Sequence, residues 1–338
     1  GNAEPGEAQT LVDDKTVVGL TVGDTGKYLL FGGTEQNLID HTYMFQDLYL
    51  FDLAAGTYTM VVDMPGKVGT YRLSPDETML AVTGAATRED HSTSTLFVAN
   101  ADGSGLRNMT PEGYEGHIRS VVWRDENNVL YQSDEGLYPT MSTLDVRKEA
   151  ASRKVIYDSE SNGLICGMPS ARPGLRTMVF VGHSTVLPRE IFVWQGKGEP
   201  KRLSFHNTWL DDVELGEQRA IEWEAKDGLM IEGVLMMPVD YTTGRFPLIV
   251  QVHGGPESNH TNGWLSRYAN PGQAFCARGY GVLFINYRGS TGRGREFAMA
   301  SYGDPAGACL LYTSPSPRDR HLDRVCRLLL EKSGGGGG

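Results

Sequence analysis

Phe246-Pro-Leu-Ile-Val-Gln-Val-His253-Gly254-Gly255-Pro256 is the stretch on which the fold turns. The run from Phe246 to Val252 is nearly continuous in apolar residues, the pattern of a strand covered on both faces inside a parallel sheet. His-Gly-Gly-Pro then ends it in a turn. Downstream, Gly272 to Arg278 reads as a helix and Gly281-Val-Leu-Phe-Ile-Asn-Tyr-Arg288 as a second buried strand, so strand, loop, helix and strand form an α/β unit. Upstream, Ala220-Ile-Glu-Trp-Glu-Ala-Lys-Asp-Gly-Leu-Met-Ile-Glu-Gly-Val-Leu-Met-Met-Pro238 alternates around Asp227-Gly228 and predicts a β-hairpin. Glu222, Glu224 and Glu232 are expected on its solvated face.

Further upstream the chain repeats itself. Val22-Gly-Asp-Thr-Gly-Lys-Tyr-Leu-Leu-Phe31 aligns with Leu73-Ser-Pro-Asp-Glu-Thr-Met-Leu-Ala-Val82, then with Trp123-Arg-Asp-Glu-Asn-Asn-Val-Leu-Tyr131 and with Pro169 to Phe180. Each copy introduces a short apolar run with turn residues that preset φ or tolerate positive φ. A second hairpin follows at Asp47–Gly56, Thr95–Gly105 and Glu190–Gly198, while the third copy, around Met141 to Val155, is less distinct. A period of roughly 50 residues suits four-stranded propeller blades. One small sheet cannot bury both its faces, so blades stack around an axis. The period-3.6 segments that a helical solenoid needs are not found. The expected fold is therefore a partial β-propeller of about four blades followed by the start of an α/β domain. The expected boundaries are 1–215, 216–307 and an unrelated tail at 308–338, with further blades expected upstream of Gly1.

Composition narrows the function. A formal net charge of -11 excludes a general nucleic-acid binder, which needs clustered Lys and Arg. No apolar run is long enough to span a membrane. Cys166, Cys276, Cys309 and Cys326 form no CxxC pair, so neither a zinc site nor a dithiol redox motif is expected. Asp211-Asp212 near His206 could form a metal cluster but fits a polar loop better, so no metal and no cofactor are expected. Asn108-Met-Thr and Asn259-His-Thr match the glycosylation pattern, which carries no weight without a secretory context.

The chemistry centres on His253 to Pro256. A glycine-rich turn after such a strand can aim a backbone N–H at a developing oxyanion, although an ordinary strand-to-helix turn has the same look. Asn286-Tyr-Arg-Gly-Ser-Thr-Gly-Arg-Gly-Arg-Glu-Phe297 follows the next strand, and Gly303-Asp304 comes after it. Together with the glycine turn and the repeats, these segments resemble the prolyl oligopeptidase family of serine peptidases, in its acylaminoacyl-peptidase and dipeptidyl-peptidase-like branches. The resemblance runs from Val22 to Gly307 and is strongest from Ile221 to Asp304. It implies a β-propeller followed here by the N-terminal part of an α/β-hydrolase domain that cleaves short peptides, with an oxyanion contact at His253 and Gly254. Whether the His253 side chain or only backbone donates there stays open. Gly255, Pro256, Tyr287 and Arg288 are expected to border the cleft, Arg288 as an ion-pair partner more than a substrate ligand.

The nucleophile of such enzymes sits in a Gly-x-Ser-x-Gly elbow, with Asp and His later in the chain. No serine here has that context; the nearest is Gly182-His-Ser-Thr-Val186, inside a repeat. Neither Asp304, too early, nor His321, in the tail, is expected to serve in a triad. The tail, with Leu310-Leu-Tyr-Thr-Ser-Pro-Ser-Pro-Arg-Asp319 and five terminal glycines, reads as translated sequencing adapter. The expectation is thus a serine peptidase acting on short peptides, present without its triad and inactive as it stands. A propeller binding module with a degenerate hydrolase appendage is the alternative. An esterase is disfavoured by the repeats.

Overall fold

Each repeat coincides with one small antiparallel sheet. The computed structural model describes residues 9–148, 152–255 and 257–303. The first sheet pairs β1 (Thr16–Val22), β2 (Tyr28–Thr34), β3 (Asp47–Asp52) and β4 (Thr57–Val62) in chain order. The second pairs β5 (Val68–Leu73), β6 (Met79–Ala85), β7 (Ser94–Asn100) and β8 (Arg107–Asn108), and the third β9 (His117–Trp123), β10 (Asn128–Asp134), β11 (Thr140–Asp145) and β12 (Lys154–Asp158). In the fourth, β13 (Ile165–Cys166) and β14 (Ser170–Ala171) share one edge of β15 (Met178–His183), and β16 (Glu190–Trp194) and β17 (Lys201–Arg202) follow. The indistinct third hairpin is β11 and β12.

Turn chemistry explains the strand breaks. Gly56 and Gly103 take φ of 68° and 87°, a region open to glycine at little cost. Glu77 holds φ of 58° in the β5–β6 turn, where its carboxylate accepts from the Thr25 amide at 2.8 Å in the β1–β2 turn. Turn residues of one repeat thus fasten to those of the next.

The sheets stack in chain order through apolar faces. Leu30, Leu48 and Val62 of the first sheet pack on Tyr71, Leu80 and Val82 of the second. Ala81, Leu96 and Val98 meet Val121, Trp123 and Tyr131 of the third, and Leu130, Met141 and Tyr157 meet Met178, Phe180 and Trp194 of the fourth. Alternation along each strand sends one set of side chains to each neighbour.

After Leu215 the chain builds a fifth, mixed sheet. Its strands are β18 (Gln218–Glu224), β19 (Met230–Met236), β20 (Leu248–Val252) and β21 (Gly281–Asn286), in the order β18-β19-β21-β20. β20 and β21 run parallel, from Leu248↔Gly281 to Val252↔Ile285; the other pairs are antiparallel. Among the described residues, the short α-helices α1 (Ile39–Met44) and α2 (Ser159–Asn162) lie among the first four sheets, α3 (Gly272–Cys276) joins β20 to β21, and α4 (Gly294–Met299) follows β21. Leu137, from the β10–β11 connection, packs with Val234, Met236 and Phe284, which seats the third sheet on the mixed one.

One expectation is corrected here. β20 is not covered on both faces: it is the edge strand among the described residues and half-buried, whereas β21 is buried along its whole length. An apolar run reports the character of its side chains, not how many neighbours they find. Among the described residues, no helix is long and apolar enough to cross a membrane.

Candidate functional site

β20 delivers His253 to the end of the parallel pair, the edge where open α/β sheets bind their ligands. The His253 carbonyl accepts from the Tyr287 hydroxyl at 3.0 Å. Its ring stacks on Tyr287 with centroids 4.6 Å apart, meets the His260 ring edge-on at 5.0 Å, and places Nε2 2.9 Å from Ser290 Oγ. Burial pushes the imidazole down to about 4, partly offset by the backbone of Gly254 and Gly255. His260 falls to about 3 through burial, with His253 and Arg267 adding to the effect. Both rings are therefore neutral near pH 7.

This inward packing leaves the glycines on the open side. Gly254 and Gly255 are exposed, and a Cβ on either would meet nothing within 4 Å. Gly255 has φ of 59°, so it makes the turn that side chains disfavour. Among the described residues, the Gly254 amide has no hydrogen-bond acceptor. The arrangement commits the His253 ring to Ser290 and Tyr287 and leaves a backbone N–H beside open space.

Beside the turn runs a polar row set by strand register. Glu222 of β18 lies opposite Glu232 of β19, and Glu232 opposite Asn286 of β21. Asn286 Nδ2 donates to Glu232 Oε1 at 3.2 Å and to the His260 carbonyl at 2.9 Å, while its Oδ1 accepts from the His260 amide at 2.7 Å. Glu232 is buried, which corrects its expected place on a solvated face. Glu222 and Glu224 are exposed on the outer strand, but β19 is an inner strand, and Gly136 of the third sheet's β10–β11 connection comes against the Glu232 carboxyl. Burial raises the Glu232 carboxyl above its usual range. A cleft of about 470 Å³ opens alongside, lined by Tyr114, Glu135, Arg153, Glu232, Gly292 and Arg293.

The expected border residues are placed as follows. Tyr287 is buried under the His253 ring. Arg288 is also buried, with Nη2 2.6 Å from Asp227 Oδ2 in the β18–β19 turn. That hydrogen bond holds the Asp227 carboxyl below its usual value. Pro256 lies outside the described residues, as do Asp304, His321, Cys309 and Cys326. Cys166 and Cys276 are buried free thiols. Among the described residues no group of three or more His, Cys, Asp or Glu could hold a metal ion. Ser184 lies in a turn, where Oγ accepts from the Leu187 amide at 3.1 Å. Asn259 Oδ1 accepts from Arg119 and Thr291, whereas Asn108 is exposed. Ser290, His260 and Asn286 complete the turn's surroundings. Ser290 and Asn286 stand within the quoted Asn286–Phe297 segment, but nothing local in the sequence pairs them with His253 or His260.

No family model matches the chain. It is 32% identical over 124 residues to the uncharacterized peptidase YuxL of Bacillus subtilis strain 168, a match covering 36% of this chain and 18% of the relative. It is 26% identical over 260 residues to dipeptidyl-peptidase 4 of Giardia intestinalis, covering 75% of this chain and 29% of the relative. The acylaminoacyl peptidase of Pyrococcus horikoshii superposes with a TM-score of 0.69 at 16% identity, over 93% of this chain and 46% of that one. These relatives and structural neighbours are peptidases of the prolyl oligopeptidase family, which the chain resembles. The chain spans less than a third of the length of those two curated relatives. The described residues hold a glycine turn with an unbonded amide and two partly buried, neutral imidazoles. Such groups can bind and orient a carbonyl. Ser290 Oγ, the hydroxyl beside the His253 imidazole, is fully buried and so is closed to a substrate.

Proposed function

We propose that this chain is part of a serine-type peptidase of the prolyl oligopeptidase family that cleaves short peptides, by acylaminoacyl or dipeptidyl release. In this reading residues 1–215 are propeller blades, 216–307 open the α/β-hydrolase domain, and 308–338 are foreign to it. The four sheets stacked in chain order support the blades, and the parallel β20–β21 pair supports the hydrolase sheet.

The observation that carries the reading is the unspent Gly254 amide at the C-terminal end of β20. A peptide carbonyl set there would be polarised by that N–H as charge develops on its oxygen, and one such donor contributes about 3–4 kcal/mol to the transition state. His253 serves by holding the turn, its ring bonded to Ser290 and its carbonyl to Tyr287. Open space beside Gly254 leaves room for the substrate backbone. The attacking serine belongs to a Gly-x-Ser-x-Gly elbow that these 338 residues do not contain, and its base follows that elbow in the chain.

The 338-residue chain is expected to give no turnover of acylaminoacyl or dipeptidyl chromogenic substrates. The coding sequence that continues past Gly307 is expected to supply the elbow, followed by Asp and His. The extended protein is expected to hydrolyse those substrates and to lose activity when the elbow serine becomes alanine. Serine-dependent turnover by the 338 residues alone, or a continuation without an elbow, would overturn the reading. The second outcome leaves a binding module with a non-catalytic hydrolase domain.

A further inference from the structure

The segment that follows the glycine turn is gripped by two cations from the stacked sheets. Lys67, just before β5, places Nζ against Glu257 Oε2 and also pairs with Asp90 at 2.6 Å. The Ser92 amide approaches Glu257 Oε1 at 3.4 Å. Arg119 of β9 donates through Nε to Asp134 at 2.7 Å and through Nη2 to Asn259 Oδ1 at 2.9 Å. Asn259 Oδ1 also accepts from Thr291 Oγ1 at 3.2 Å, in the loop after β21. In both cases one carboxylate fixes the cation on its own sheet and the remaining donors reach across to the turn segment. Lys67, Arg119 and Glu257 line one cavity of about 520 Å³ together with His117.

We propose that Lys67 and Arg119 are positioning residues that hold Glu257 and Asn259, and through them the Gly254 amide, in register with the second and third sheets. Neither reaches the turn glycines themselves; each acts through Glu257 or Asn259. Charge-assisted bonds between partly buried groups are the strong class of hydrogen bond, and two grips from adjacent sheets fix both position and direction. The second and third sheets pack on each other through a continuous core, so the two cations move as one body. The inference deepens the peptidase reading and rests on it for its catalytic meaning, but its test reads no catalysis.

Hydrogen exchange of the 338-residue chain tests it. Lys67→Met and Arg119→Met are each expected to speed exchange of the His260 amide, which donates to Asn286 Oδ1, and of the Thr291 amide, which donates to the Ser258 carbonyl, by about tenfold or more. Exchange in β18, β19 and β21 should stay at the wild-type level. The Lys67→Arg variant should restore protection, because it keeps a donor at Glu257. If a sheet variant fails to fold, Glu257→Gln releases the same grip from the other side and should reproduce the local effect. Wild-type exchange at those two amides in these variants, or a uniform rise throughout the chain, would overturn the proposal. A continuation lacking the serine elbow would defeat the peptidase reading and leave this exchange result untouched.

Discussion

Gly254 and Gly255 are neighbours with different demands. A Cβ on either would meet nothing within 4 Å, so crowding does not require glycine at either position. Only Gly255 holds a left-handed φ, of 59°. Gly255→Ala is therefore expected to lower stability by about 1–2 kcal/mol, whereas Gly254→Ala should leave it within about 0.5 kcal/mol of wild type. Urea unfolding of the two variants separates them, and equal losses would show that the turn is not built as described. The sequence carried half of this. The Gly-Gly pair announced a special turn, but which glycine needed the unusual backbone was a matter of three-dimensional path. His253 shows the same limit. Its place beside the glycines was readable, while the ring's contacts with Ser290 and His260 depend on the β21 loop and on the segment past the turn, neither adjacent in sequence.

At the scale of elements, strands and turns were legible because their signals are local. Asp, Gly, Pro and Asn mark where each chain reversal falls, and alternation marks which residues share a face. Coverage was not legible. β20 is apolar yet lies at an edge, and Glu232 is charged yet buried, because each outcome is decided by the strand or connection beside it. Contacts between sheets are of that second kind too. Tyr71 shows what one of them is worth: its hydroxyl accepts from the Gly32 amide at 2.8 Å, joining the second sheet to the first in a buried setting. Burial also raises the phenol's pKa, so it stays protonated. Tyr71→Phe removes the acceptor and strands a buried N–H, at an expected cost of about 1–3 kcal/mol. Chemical denaturation measures the loss, and exchange at Gly32 should quicken with it. A variant as stable as wild type would mean that water or a relaxed backbone satisfies the amide.

Over the whole molecule, the junctions between sheets are stitched by neutral imidazoles. His117 Nδ1 accepts from the Ser94 amide at 3.1 Å, linking β9 to the second sheet. His183 Nδ1 accepts from the Trp264 amide at 2.8 Å, linking the fourth sheet to the connection between β20 and β21. His253 and His260 pack together behind the turn. Burial is the leading cause that pushes these four down, to about 3 for His117 and His260 and about 4 for His183 and His253. A nitrogen that accepts a hydrogen bond must be unprotonated, so protonation breaks the junction as well as burying a charge. The sign follows from which state holds more protons. Between the folded values and the usual 6.5, the unfolded chain takes up protons that the folded chain refuses. Stability is thus full above about pH 6.5 and falls as the pH drops towards 4. Each imidazole can contribute a slope of up to about 1.4 kcal/mol per pH unit. Carboxylates held low by their partners, such as Asp227, lose their contribution only below their own ordinary range, and Glu232, raised by burial, acts against the histidine loss as the pH falls. Urea unfolding from pH 7 to 5 should show a loss of several kcal/mol. His117→Gln, which removes one titrating group, should flatten the slope, and a profile already flat between pH 7 and 5 in the wild-type chain would mean that these imidazoles are solvated rather than buried at the seams.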